Sequence, residues 1–155
     1  MVIKPTLVRT YEFKATQQRV FDVVTQTEHL NRYFTAGAQV DPQVGGKFSN
    51  ADGDKGKFLK VAVPRHLVFT YTHEKLGLET EVDLTFEASG PLKWTKLRLV
   101  QKGLEADKVN ADAYAWMTAR WNYLATSLAR YLVKQSRISF EVYREQSKPV
   151  YETRR

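Results

Sequence analysis

Polar and apolar residues alternate through the middle of the chain, and this pattern predicts strands. Thr80, Val82, Leu84 and Phe86 alternate with Glu79, Glu81, Asp83 and Thr85, a period of two that turns one face to a core and the other to water. The following run repeats it, with Leu97 and Leu99 on the inner face and Lys96 and Arg98 on the outer. Five strands are predicted: Gly46 to Asn50, Lys55 to Ala62, His66 to Thr72, Glu79 to Glu87 and Lys93 to Gln101. They are separated by ADGD, VPR, EKLG and ASGP, all of which have turn chemistry. Such short connections imply antiparallel hairpins.

Two other stretches follow different rules. Leu7 to Lys14 is rich in β-formers and predicts a first strand. Thr16 suits an N-cap for a short helix carrying Val20, Phe21, Val23 and Val24, and Thr27 a second cap before a helix that ends on Tyr33 and Phe34. Near the C-terminus, beginning at Asn110 or Asp107 and running to about Lys134, the period changes to that of a helix. Its inward stripe collects Ala113, Trp116, Met117, Trp121, Leu124, Leu128 and Tyr131. Packing against a sheet is the simplest use of such a stripe. Arg120 falls on it as well, within about 20° of Ala113 at 3.6 residues per turn. A cation there either snorkels or pairs with a carboxylate, or else it offers a fork of donors to an anionic ligand end.

In VGGKF, Gly45 and Gly46 suit a positive φ or a close backbone approach at a strand start. A phosphate loop is excluded, because the spacing is wrong and a strand follows rather than a helix N-terminus.

Composition narrows the function classes. The 155 residues predict one domain, with 43% hydrophobic and 26% charged residues, as in an ordinary soluble protein. No apolar run approaches the roughly 20 residues of a membrane helix. The N-terminus shows no signal-peptide pattern, so a cytoplasmic protein without a membrane partner is expected. The net charge of +7 is dispersed and not interleaved with stacking aromatics, which argues against a nucleic-acid partner. With no cysteine there is neither a disulfide nor a thiolate site. The three histidines, His29, His66 and His73, are not spaced as metal ligands, and no serine has a nucleophile-elbow setting. No catalytic residue, metal or cofactor is therefore assigned, and an enzyme is not the expected class.

The motifs taken in order resemble those of a family. EFKATQQRVFDVVTQTEHLNRYF, then VGGKF, GKFLKVAVPRHLVFTY and WNYLATSLARYL resemble START-like domains of the SRPBCC superfamily, in the subgroup named for activators of the heat-shock chaperone ATPase. The resemblance covers residues 7 to 133. It implies an α+β helix-grip fold: a curved antiparallel sheet wrapped around a long C-terminal helix, with two short helices after the first strand and a cavity in the grip. Thr16 stands where proline is common, Tyr33-Phe34 replace a tryptophan pair, and Arg120 replaces a small residue, a change that alters the cavity.

On this basis the domain is expected at 1–135, with 136–155 a C-terminal extension, either a strand-like arm around SFEVY or a flexible tail. The expected function is binding of a small, largely apolar or amphipathic molecule, with a possible anionic end. Its site would draw Phe34 from the end of the second short helix, Phe48, Phe58, Phe69, Tyr71 and Leu84 from the sheet side, and Trp116, Met117, Arg120, Trp121 and Leu124 from the long helix. The alternatives are a chaperone-partner role and a cyclase or aromatase-like enzyme. A monomer or homodimer is expected.

Overall fold

The computed structural model describes residues 6–104, 109–134 and 139–145. Strand β1 (Leu7–Phe13) is followed by α1 (Gln17–Thr25) and α2 (Thr27–Tyr33). Then come β2 (Gln39–Val40), β3 (Lys47–Ser49), β4 (Lys55–Ala62), β5 (His66–Tyr71), β6 (Thr80–Ser89) and β7 (Trp94–Lys102), and finally α3 (Ala111–Leu132). The strands form one seven-stranded sheet in the order β1-β7-β6-β5-β4-β3-β2. Every neighbouring pair is antiparallel. This is the helix-grip architecture that the motifs implied, with one strand, β2, that the sequence reading did not separate.

The alternation holds in detail. Thr80, Val82, Leu84 and Phe86 are buried on β6, and Leu97 and Leu99 on β7. Leu84 stands opposite Leu99, and Glu81 opposite Lys102, so core and solvent faces match across the hairpin. Slipping the register by one residue would turn every one of these leucines to water.

The helix starts obey local chemistry with one correction. Thr16 caps α1, accepting from the Arg19 N–H at 3.2 Å, and Asn110 caps α3, accepting from the Ala113 N–H at 2.8 Å. Thr27 is not a cap. Gln26 holds that position without a side-chain bond, while the Thr27 hydroxyl accepts from the Val40 N–H at 3.1 Å and ties α2 to β2. A backbone donor from an incoming strand competed for the hydroxyl and won it. Asp107, the other candidate start of α3, lies outside the described residues.

Gly45 and Gly46 divide the two roles expected of them. Gly45 has φ +84°, and a Cβ on Gly46 would lie 2.0 Å from the Asp41 carbonyl oxygen. The turn they make is anchored to β4. Gly45 N–H donates to the Phe58 carbonyl at 2.9 Å, and Phe58 N–H donates to the Gly46 carbonyl at 2.8 Å. The register of β4 on β5 shifts between Phe58 and Lys60, so the glycine pair holds Phe58 inward beside a bulge.

Residues 140–145 are helical, where a strand-like arm or a flexible tail was expected around SFEVY. The alternation there was too short to distinguish the two periods. Phe140 packs on the flank of α3, its ring 5.1 Å from that of Tyr123 and 6.1 Å from that of Trp116.

Candidate ligand cavity

Between the concave face of the sheet and α3 lies a cavity of about 100 Å³ with mostly apolar walls. Apolar cavities of about 150 Å³ take up a benzene-sized molecule, so this one, at about two thirds of that volume, limits a guest to one small ring at most. The sheet contributes Phe48, Phe58, Phe69, Tyr71 and Leu84, α2 contributes Phe34 at its end, and α3 contributes Met117, Arg120, Trp121 and Leu124. Phe48, Phe58 and Phe69 form a closed triangle of tilted and edge-on rings with centroids 5.3 to 5.9 Å apart. Such pairs interact favourably beyond the area they bury and fix the wall.

Trp116 is not in this wall. It lies about 60° from Ala113 around the helix, on the flank opposite Trp121. From there it packs at a tilt on His73, ring centroids 4.3 Å apart, and meets Phe140. The stripe is wide enough that its two indoles face different neighbours. Trp121 points at the sheet, where its Nε1–H donates to Gln101 Oε1 at 2.7 Å. Gln101 is fully buried and passes the connection to the Thr80 hydroxyl at 2.9 Å, which in turn donates to the Tyr71 carbonyl. A buried polar relay therefore registers α3 on the sheet.

Only the Arg120 half of the cavity's polar end was legible from the sequence. Asp54, in the turn before β4, is 4% exposed, and Tyr71 and Arg120 are 3% exposed. Asp54 Oδ2 accepts from Arg120 Nη2 at 2.7 Å, from Arg120 Nε at 3.3 Å and from Asn50 Nδ2 at 3.0 Å. Asp54 Oδ1 accepts from the Tyr71 hydroxyl. Arg120 Nη2 also donates to Asp52 Oδ2 at 2.8 Å. The loop is shaped for this by Asn50, whose Oδ1 accepts from the backbone N–H groups of Asp52 and Asp54. The guanidinium lies 4.1 Å from the Phe34 ring centroid and 5.2 Å from that of Phe140.

These contacts decide the protonation states. Burial works against the charge of Arg120, but Asp54 and Asp52 outweigh it and raise the pKa above its ordinary value. Burial, then the charge of Asp54 and the hydrogen bond to it, push the Tyr71 phenol far up, so it remains a neutral donor to Asp54. Arg120 thus faces two protein carboxylates, the paired alternative of the sequence reading, and not an unmatched cation awaiting an anionic ligand end.

The histidines are engaged elsewhere. His73 Nδ1 accepts from the Lys75 N–H, which leaves Nε2 to donate to the Asp52 carbonyl at 2.8 Å. His66 meets Asp83 across β5 and β6 at 2.9 Å, and His29 meets the Tyr131 hydroxyl at 2.6 Å. Among the described residues no group of three or more histidines and acids could hold a metal. No helix among them is long and apolar enough to cross a membrane.

Fold and cavity together define a START-like helix-grip domain. A family model described as "Activator of Hsp90 ATPase homolog 1-like protein" matches residues 14–133, and the chain belongs to that family. Solved structures share the fold. PFC0360w, an HSP90 activator from Plasmodium falciparum, superposes with a TM-score of 0.72 at 20% identity, over 83% of this chain and 96% of that one. The Aha1 dimer from Colwellia psychrerythraea gives 0.68 at 17% identity, over 81% and 94%. CalU16 from Micromonospora echinospora gives 0.64 at 18% identity, over 93% and 84%. No curated protein matches the chain in sequence.

Proposed function

We propose that this chain binds a small, uncharged, largely apolar molecule in the cavity between the sheet and α3. The observation that carries this reading is the pairing of an apolar, ring-lined cavity with a polar end whose cation is already matched by Asp52 and Asp54. An uncharged guest loses little on leaving water and buries its surface on the phenylalanine triangle, at roughly 25 cal/mol per Å² of apolar area. An anion would meet the Asp54 carboxylate, while the guanidinium beside it is already paired. Asp54 is hydrogen-bonded by Tyr71, Asn50 and Arg120, which leaves it poorly placed to exchange protons in a cyclase-like reaction.

Family membership supports a second reading, stimulation of a heat-shock chaperone ATPase, either as a monomer or as a homodimer like the Colwellia protein. One pair of measurements separates the two. A cavity binder shows a saturable rise in melting temperature with neutral single-ring aromatics, and native mass spectrometry of the purified chain shows added mass. An activator raises the ATPase rate of a chaperone without any such ligand. The binding reading is lost if toluene and its relatives leave the melting temperature unchanged.

A further inference from the structure

The hydrogen-bond pattern at the polar end sets the kind of ligand the cavity selects. The donors on its wall are largely engaged: Tyr71 Oη–H by Asp54, Trp121 Nε1–H by Gln101, Tyr11 Oη–H by Asn122 Oδ1 at 2.7 Å, and the Nε–Nη2 edge of Arg120 by Asp54 and Asp52. A phenol oxygen that donates its only hydrogen still has lone-pair capacity to accept. Tyr71 is in that state within the cavity wall, beside a carboxylate that increases the electron density on its oxygen. We infer that Tyr71 Oη is the specificity-determining acceptor of this cavity, and that the preferred ligand is a small phenol or alcohol donating its hydroxyl hydrogen there. The inference rests on the proposed binding function and refines it.

Size and charge point the same way. At about 100 Å³ the cavity is below the roughly 150 Å³ that takes benzene, so any guest is limited to one ring at most. A carboxylate in place of the hydroxyl would bring a negative charge to Asp54 and would present acceptors to an acceptor. A hydroxyl avoids both penalties, and a site with a buried acceptor discriminates strongly against molecules that cannot donate to it.

The test follows the indole N–H signal of Trp121 in ¹H–¹⁵N spectra of the full chain, assigned with a Trp121→Phe variant. Toluene, phenol, benzaldehyde and benzoate are titrated in turn. Phenol and toluene are expected to shift the signal saturably. Benzaldehyde, similar in size but only an acceptor, is expected to bind at least fivefold more weakly than phenol, and benzoate not to bind. In Tyr71→Phe the affinity for phenol relative to toluene is expected to fall at least tenfold, whereas Tyr11→Phe changes that ratio less than twofold. Benzaldehyde or benzoate matching phenol in the wild type would overturn the inference and assign the ligand contact to the remaining N–H groups of Arg120. An unchanged ratio in Tyr71→Phe, or a loss seen in Tyr11→Phe instead, would overturn it too. The wild-type comparison stands even if Tyr71→Phe folds poorly. Toluene binding without a preference for phenol defeats only this inference, while the absence of any shift with toluene defeats the binding function itself.

Discussion

Arg120 on α3 and Asp54 in the turn before β4 meet through two guanidinium nitrogens on one carboxylate oxygen, at 2.7 and 3.3 Å, with both side chains almost wholly buried. This contact joins the long helix to the strand half of the grip across 66 residues of sequence. It also closes the polar end of the cavity. A buried pair of this kind contributes little over an apolar substitute, yet breaking it is costly because one charge is left alone.

Arg120→Leu is therefore expected to destabilise the fold by about 3–5 kcal/mol, read as a lower urea midpoint at unchanged slope. Asp54→Asn placed in the same chain should recover part of that loss, because it removes the stranded carboxylate. A single variant as stable as the parent would show that Asp54 is not buried with this partner.

Leu124 and Leu128 lie on the same helix, but only Leu128 is fully buried, while Leu124 borders the cavity and is half-buried. Leu128→Ala is expected to cost about 2–5 kcal/mol, and Leu124→Ala about 1–2 kcal/mol because its methyl groups already face open space. Leu124→Ala should also widen the cavity and strengthen binding of two-ring aromatics. The reverse order of costs in denaturant melts would displace the cavity from this face of α3.

The fold was legible because the decisive signals are local. Thr80 to Phe86 shows its period of two within seven residues, and Thr16 and Asn110 announce their helices by side-chain chemistry alone. The polar end was half legible. Arg120 on an apolar stripe signals that a partner must exist, since an unmatched buried charge is not tolerated. Its partners sit in NADGD, which reads as an ordinary turn, and only the folded sheet brings Asp54 beneath Tyr71. Trp116 was misplaced for a related reason. A stripe broad enough to cover a sheet has two flanks, and periodicity does not tell which flank another segment will cover. Here residues 139–145 supply Phe140.

Alkaline stability follows from the buried phenols. Burial, and then Tyr131, push Tyr33 far above its ordinary value of 10.0, and burial and Asp54 do the same to Tyr71. Burial raises Tyr11 to about 12. A pKa raised on folding gives stability that is complete below pH 10 and is lost as the pH rises above it, because the unfolded chain then releases protons that the folded chain retains. The unfolding free energy from urea titrations should be flat from pH 8 to 9.5 and fall beyond 10, by up to about 1.4 kcal/mol per pH unit for each of Tyr33 and Tyr71. Tyr33→Phe should flatten the decline. A midpoint that holds steady to pH 11 would place these phenols in water.

Residues 139–145 contribute an aromatic anchor, and the expected domain boundary at residue 135 can be tested against it. Phe140 meets Trp116, Tyr123 and the Arg120 guanidinium, and its ring faces Arg144 at 5.9 Å. Each such ring contact is worth roughly 0.5–1.5 kcal/mol, and ordering a short segment offsets part of the sum. Ending the chain after Gln135 is therefore expected to leave the helix-grip fold intact by circular dichroism while lowering stability by about 1–3 kcal/mol. Phe140→Ala in the full chain should reproduce more than half of that loss, and Trp116 fluorescence should shift to the red in both as the indole gains water. A truncated chain as stable as the parent would make the segment an accessory. Failure of the truncated chain to fold would move the domain boundary beyond residue 135, and in that case Phe140 belongs to the core that holds Arg120 in place.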